Sequence, residues 1–298
     1  MQITEQVLLS TTNLTKLIEL ALLEDLYGGD CSSEVLKDGV IITANFLAKE
    51  AGVIAGLVLV PEIIKIAGTN NYLRSHLQFE PHVSEGAKVS NNTVIASICG
   101  DIKDILAIER TILNFVSRVS GIATYTSKMV DALAGAKPRI YDTRKTLPGW
   151  RILDKYAVYQ GGGVNHRLNL SEHLMFKDNH YYGDKLGVLE YLKNLNKLQD
   201  SSQAKRVEIE VDNFSYFEHE EIWNADIIML DNMNLKKLNE AIKIIRLKET
   251  AQKKYEIEIS GGLNIDNLAS LKNLDVDRIS IGRITHSASS YDISLDCI

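Results

Sequence analysis

The sequence predicts a two-part α/β protein: a small α/β domain with an antiparallel sheet, followed by a β/α barrel. Three observations carry this. The chain has 298 residues, more than a usual domain of about 100–200, so one large domain or two unequal ones fit. Its first third holds one amphipathic helix and then several short β-like runs. From about residue 102 onward, short apolar strands alternate with helical segments, the pattern of a parallel sheet.

The helix comes first. Leu14, Leu17, Ile18, Ala21 and Leu22 fall on one helical face, and Gly28-Gly29-Asp30 ends the run. Extended runs follow at 41–48, 52–60 and 93–98, separated by turns such as Ser84-Glu85-Gly86 and Ser90-Asn91-Asn92. A long helix is expected from 102 to about 130. Strands are then expected at 139–142, 173–177, 207–211, 227–230, 255–259 and 278–281. Helices are expected between them near 148–160, 184–199, 213–224, 235–249 and 265–273.

Composition narrows the function. Hydrophobic residues are 45% and charged residues 24%, ordinary for a globular chain that buries a core. The net charge of −6 speaks against a nucleic-acid partner, which normally calls for a basic excess. The apolar stretch 53–66 is interrupted by Gly56, Pro61, Glu62 and Lys65, so no membrane span is expected. Three cysteines without close spacing suggest neither a zinc site nor a disulfide framework, and no signal peptide is visible. A cytoplasmic protein is the expectation.

The strand ends carry the chemistry. They read Asp142-Thr143-Arg144-Lys145, Lys177-Asp178-Asn179-His180, Glu210-Val211-Asp212, Asp231-Asn232, Ser260-Gly261-Gly262 and Gly282. A barrel gathers the carboxyl ends of its strands into one pocket, whereas an open doubly wound sheet uses one or two of them. Arg144, Lys145, Arg167 and Lys177, with His166 beside them, suit a substrate with several carboxylates or phosphates. Glu210 and Asp231 suit Mg²⁺ or sugar hydroxyls, or could each pair with a pocket lysine. Glu208 shares a face with Glu210, but Glu210 lies nearer the strand's carboxyl end and is the candidate. Glycine turns after the last two strands suit a phosphate.

These residues bring a family into view. Asp142-Thr143-Arg144-Lys145-Thr146-Leu147-Pro148-Gly149, Lys155-Tyr156-Ala157-Val158, Gly161-Gly162-Gly163, Asn165-His166-Arg167 and Lys177-Asp178-Asn179-His180 stand in order. Glu24-Asp25-Leu26, Glu109-Arg110-Thr111, Ser120-Gly121-Ile122-Ala123-Thr124, Leu230-Asp231-Asn232-Met233, Ser260-Gly261-Gly262 and Thr285-His286-Ser287-Ala288 extend the set over nearly the whole chain. The ordered set resembles the quinolinate phosphoribosyltransferase family, the carboxylating nicotinate-nucleotide pyrophosphorylases.

The resemblance implies an N-terminal α/β sandwich domain plus an incomplete, seven-stranded α/β barrel of the type II phosphoribosyltransferases. We expect residues 1–105 in the first, with 286–298 packing back on it, and 106–285 in the barrel. It implies transfer of phosphoribosyl from phosphoribosyl pyrophosphate to quinolinate with decarboxylation, a step of NAD biosynthesis. Mg²⁺ is the implied cofactor, held by Glu210 and Asp231, with no organic cofactor. A homodimer is implied, in which Arg110 enters the partner's site. Arg144, His166, Arg167 and Lys177 would hold the dicarboxylate, with Lys145 between it and the phosphoribosyl substrate. Ser260, Gly261, Gly262 and Gly282 would hold the 5′-phosphate, and Lys145, Glu210 and Asp231 would be catalytic.

The chain departs from the family pattern at Tyr159-Gln160, at Trp150 and at Arg283. Two other enzymatic or binding readings stay open. One is a Schiff-base aldolase using Lys177. The other is a diverged, molybdenum-operon-type paralogue acting on or binding another anion. A scaffold would not require so many charges at strand ends.

Overall fold

The structure is a computed structural model that describes residues 2–195 and 206–298. The chain forms two compact units. One comprises Gln2–Ser127, Lys145–Gly163 and Ile284–Ile298; the other Lys128–Arg144 and Val164–Arg283.

The first unit is built on a four-stranded antiparallel sheet, ordered β12-β1-β5-β3. These are β1 (Ile41–Ala48), β3 (Gln78–Pro81), β5 (Val94–Asp101) and β12 (Ile293–Cys297), the last at the C-terminal end of the chain. Ala44, Phe46 and Ala48, two residues apart, share the buried face of β1. Helix α1 (Glu5–Leu9) precedes α2 (Thr12–Leu26). On α2, Leu14, Ile18, Leu22 and Leu26 are buried four residues apart, so the marked stripe is the packing face. Gly29 then takes φ +78, the left-handed conformation that ends many helices.

The expected strand at 52–60 is corrected. Only Gly52–Val53 (β2) is extended, paired with β4 (Lys88–Val89), and Leu59–Thr69 is helix α3. Its buried residues Leu59, Val60, Ile63, Ile66 and Ala67 follow helical spacing. The helix starts where Glu85 accepts hydrogen bonds from the backbone N–H groups of Gly56 (2.7 Å) and Val58 (3.0 Å). Pro61 lies in the first turn, where a missing N–H costs nothing. Helix α4 (Ile102–Ala132) is the expected long helix, and α5 (Arg151–Gln160) follows. Trp150, just before α5, stacks on Phe115 of α4 with ring centroids 4.8 Å apart.

The second unit holds a parallel sheet: β6 (Arg139–Tyr141), β7 (Leu174–Phe176), β8 (Val207–Val211), β9 (Ile227–Asp231), β10 (Glu256–Ser260) and β11 (Arg278–Ser280). Their order, β6-β11-β10-β9-β8-β7, is that of a barrel interrupted between β6 and β7. Seven strands were implied; six form among the described residues. The seventh position shrinks to one parallel bridge between Val164 and Tyr141, on the open side of β6. Gly161-Gly162-Gly163 closes α5 directly before it in sequence: Gly161 N donates to Ala157 O and Gly163 N to Val158 O.

The connections are α6 (Asp178–Lys193), α7 (Leu235–Lys248), α8 (Ile265–Leu268) and two 3₁₀ turns, Phe214–Glu218 and Glu220–Asn224, with α9 (Arg283–His286) after β11. The 3₁₀ turns stand where one helix was expected, and α6 begins earlier than expected and kinks at Asp184. Of the predicted helix 184–199, positions 196–199 lie outside the described residues. No described helix is long and apolar enough to cross a membrane.

Candidate active site

The strand ends of the second unit bring together most of the predicted residues. Asp142, just past β6, is fully buried. Its carboxylate accepts from Asn165 Nδ2 (2.7 Å) and from the His166 backbone N–H (2.8 Å). That clamp ties the segment after the Val164 bridge to the end of β6. It fixes where His166 and Arg167 lie.

Arg144 and Arg167 form the cationic centre. Arg167 is 7% exposed, and its Nη1 donates to the His173 carbonyl at 3.2 Å. Burial, and then the neighbouring charge of Arg144, depress the pKa of Arg167. Arg144 Nε is buried and has no hydrogen-bond partner among the described residues. An orphaned buried donor costs about 1–3 kcal/mol, and two guanidinium groups close together repel. Both costs are relieved by an anion with more than one carboxylate or phosphate.

His166 sits behind them, 6% exposed. Its Nδ1 accepts the Arg167 backbone N–H at 2.8 Å. Its Nε2 lies 3.2 Å from Glu208 Oε2 and 3.4 Å from Glu258 Oε1. Burial disfavours an imidazolium, while the two carboxylates favour it and push the pKa up to about 9. The N–H already directed at Nδ1 opposes a second ring proton there. From that hydrogen bond we assign a proton to Nε2, the nitrogen that faces the two carboxylates.

Lys177 and Glu210 form a close ion pair at the ends of β7 and β8. Burial raises the Glu210 carboxyl pKa, Lys177 lowers it, and the nearby charges of Asp231 and Asp178 raise it again, for a net rise. The neighbouring carboxylates thus oppose one another's ionisation, which a divalent cation relieves. An all-oxygen donor set of this kind fits Mg²⁺. His180 Nδ1 accepts the Lys177 backbone N–H at 3.1 Å, which caps α6 and fixes the lysine's backbone.

The turns after β9 and β10 interlock. Asn232, at φ +52, donates its backbone N–H to Ser260 O at 3.0 Å, and its side chain donates to Asp231 Oδ2 at 2.8 Å. Gly261 takes φ +97 and Gly262 φ +61. Ser260 and Asp231 are register partners, so these two turns lie side by side. Gly282 follows the buried Ser280 and Ile281.

Lys145 and Arg110 belong to the first unit. Thr285 Oγ1 donates to the exposed Lys145's carbonyl at 2.8 Å. The Arg110 side chain is 65% exposed on α4, with Glu109 3.9 Å away. It borders a cavity of about 380 Å³ also lined by Asn114, Arg118, Leu147 and Trp150.

Sequence reasoning missed part of the site. Glu208, set aside in favour of Glu210, is wholly buried and joins His166 and His173, the latter at 3.0 Å. These hydrogen bonds and charges outweigh burial and hold its carboxyl near 2. Glu258 meets Arg278 Nη1 at 3.3 Å, and that guanidinium sits over the Tyr141 ring. The available signal was a charged residue amid apolar neighbours on a buried strand, since such a charge is costly unless paired.

The fold and site define an enzyme that binds an anionic substrate at the strand ends of an incomplete β/α barrel. Two family models cover the chain: quinolinate phosphoribosyl transferase N-terminal domain over residues 30–120 and C-terminal domain over 122–296. The nicotinate-nucleotide pyrophosphorylase [carboxylating] of Mycobacterium leprae is 34% identical over 285 residues, 94% of this chain and 95% of that protein. A probable one from Bacillus subtilis is 34% identical over 283 residues, covering 95% and 93%. The solved nicotinate-nucleotide pyrophosphorylase from Francisella tularensis superposes with a TM-score of 0.83 at 33% identity, covering 96% of each chain. The chain belongs to the quinolinate phosphoribosyl transferase family.

Proposed function

We propose that the chain transfers phosphoribosyl from phosphoribosyl pyrophosphate to quinolinate, releasing pyrophosphate and carbon dioxide and leaving nicotinate mononucleotide for NAD biosynthesis. The observation that carries this reading is the pair Arg144 and Arg167, two guanidinium groups in mutual repulsion, with one buried donor unanswered. Two adjacent ring carboxylates answer both.

In this reading Arg144, His166, Arg167 and Lys177 hold the dicarboxylate, His166 backing the arginines with its Nε2–H turned to the buried carboxylates. The ring nitrogen forms a bond to the anomeric carbon as the bond to pyrophosphate breaks. Much of the acceleration comes from holding those two atoms in line. Negative charge grows on the leaving group, and Lys145, the residue after Arg144, is its nearest proposed cation. When bound, Mg²⁺ supplies further neutralisation of the pyrophosphate, with Glu210 and Asp231 as its proposed holders. The ring carboxylate beside the nitrogen then leaves as carbon dioxide. Its electron pair stays on the ring carbon next to the cationic nitrogen until that carbon takes a proton. Ser260, Gly261, Gly262 and Gly282 cradle the 5′-phosphate with backbone N–H groups.

We further propose a homodimer in which Arg110 completes the partner's site. Its exposed position and loose pairing with Glu109 support that reading. A cytoplasmic location is supported by three free cysteines, Cys31 and Cys297 among them exposed.

The test is an assay with quinolinate, phosphoribosyl pyrophosphate and Mg²⁺, with nicotinate as control. Nicotinate mononucleotide and carbon dioxide should form from quinolinate, and nicotinate should be a poor substrate. Turnover of nicotinate alone would sink the proposal.

A further inference from the structure

Behind the cations lies a cluster that the proposed reaction does not use: His173, Glu208, Glu258, Arg278 and Tyr141. His173 enters it twice. Its ring Nε2 meets Glu208 Oε2 at 3.0 Å, and its backbone carbonyl accepts from Arg167 Nη1 at 3.2 Å. Glu208 Oε2 in turn lies 3.2 Å from His166 Nε2, and the two histidine rings sit 5.2 Å apart between centroids. One residue just before β7 thus touches both the guanidinium of Arg167 and the carboxylate that orients His166.

His166, His173 and Glu208 also have the composition of a metal site, with ligand atoms within 4.8 Å of one another. The hydrogen-bond pattern decides against that reading. A histidine that ligates through Nε2 carries its proton on Nδ1 and donates it to a partner. Here Nδ1 of His166 accepts the Arg167 N–H instead. The Nε2 atom therefore bears the proton and faces Glu208 Oε2 and Glu258 Oε1 at 3.2 and 3.4 Å.

We propose that His173 is a positioning residue for dicarboxylate binding, acting through Glu208 on His166 and through its carbonyl on Arg167. This rests on the reading of the strand-end cations as a dicarboxylate site. Glu208 Oε2 sits between two ring N–H groups, so each fixes the rotamer that the other needs. Without the His173 ring, the buried carboxylate has one donor fewer and can turn toward His166 or toward Arg278. The ring and the guanidinium that face the substrate then lose a single placement. The phosphoribosyl turns after β9 and β10 are untouched by this change.

The prediction is a split between substrates. His173→Leu removes the donor and keeps the bulk. It should raise KM for quinolinate about tenfold, the loss of roughly one charge-assisted hydrogen bond, and leave KM for phosphoribosyl pyrophosphate within about twofold. His173→Gln restores an N–H near the Nε2 position and should recover most of the loss. If His173→Leu does not fold, His173→Met, which keeps the bulk and lacks a donor, should give the same split. Equal shifts in both KM values, or no recovery with glutamine, would overturn the positioning role.

Calorimetric binding of phthalate, which has the two adjacent carboxylates but no ring nitrogen, separates the two levels of inference. Binding to the wild type and about tenfold weaker binding to His173→Leu supports the proposal. Equal binding to both defeats the role of His173 alone. No binding of phthalate or quinolinate to the wild type defeats the dicarboxylate reading and the proposal with it.

Discussion

Gly261 leaves no space for a side chain beside Asn232: a Cβ there would lie 2.3 Å from Asn232 Oδ1 and 2.7 Å from its backbone nitrogen. The glycine also holds φ +97, which side chains rarely adopt. Gly261→Ala should therefore push apart the turns after β9 and β10. We expect a stability loss of about 1–3 kcal/mol and a KM for phosphoribosyl pyrophosphate raised at least about tenfold, with KM for quinolinate little changed. Adding Asn232→Gly removes the nearest obstacle but not the backbone nitrogen, so it should recover only part of the loss. Urea unfolding and the two KM values check this.

A second brace lies in the first unit. Arg118 meets both oxygens of Asp154, its Nη2 at 3.1 Å from each, and donates to the Thr285 carbonyl at 2.9 Å. Thr285 donates to the Lys145 carbonyl, and the Leu147 N–H donates to Asp154 at 3.3 Å. The loop that carries Lys145 is thus tied down at both its carbonyl and the next turn. Asp154 is 1% exposed, and removing one partner of a buried pair costs about 3–5 kcal/mol. Asp154→Leu should be strongly destabilising, and Arg118→Leu with Asp154→Leu less so than their sum. Thr285→Val should cost only about 1 kcal/mol while lowering kcat, because it frees the Lys145 backbone. Unchanged kcat in a folded Thr285→Val protein would show that this hydrogen bond does not set the lysine's position.

Much of this was legible in the sequence, for physical reasons that also mark where legibility ended. Strand β9, Ile-Ile-Met-Leu before Asp231, reads as its apolar run because a parallel strand is buried on both faces. The cations Arg144 and Lys177 announced themselves by falling just past strand ends. Helix α3 did not, because the group that starts it, Glu85, lies 27 and 29 residues from the amides it caps. His173 and Glu208 were opaque for the same reason. They are 35 residues apart, and nothing local shows that a strand-entry histidine will meet a strand-interior glutamate. Among the described residues the position beside β6 forms only the Val164–Tyr141 bridge, a pairing that strand periodicity does not report.

Lys177 offers a test of site chemistry without large structural cost. Its side chain is 42% exposed, whereas that of Glu210 is 10% exposed. Lys177→Ala should remove turnover, lowering kcat/KM at least about a hundredfold, roughly 2.7 kcal/mol of transition-state stabilisation, while the fold survives. Glu210 then loses its cation. Burial and the neighbouring acids raise its carboxyl pKa still further, so any residual activity should need higher pH than the wild type. A wild-type rate, or an unshifted pH profile with measurable residual activity, would remove Lys177 from the site.

At the far end of the second unit's sheet, Arg246 gathers Asp275 and Asp277, with Nε 2.8 Å from Asp275 Oδ2 and Nη2 3.1 Å from Asp277 Oδ2. Lys137 Nζ meets the same two aspartates at 2.7 and 2.9 Å. The Asp275 pKa is lowered from 3.8, first by the Lys137 hydrogen bond and then, against some burial cost, by Arg246. A carboxyl with a depressed folded-state pKa binds fewer protons folded than unfolded. Its stabilising effect is complete above about pH 4 and is lost as pH falls through the folded value. Asp275 is half-exposed, so solvent screening keeps the effect small. Asp275→Asn should therefore be less stable than the wild type near neutrality, and the gap should narrow as pH falls below 4. Urea unfolding of both proteins between pH 7 and about pH 3 measures it. A gap that stays constant over that range would mean that Asp275 contributes through packing and not through its charge.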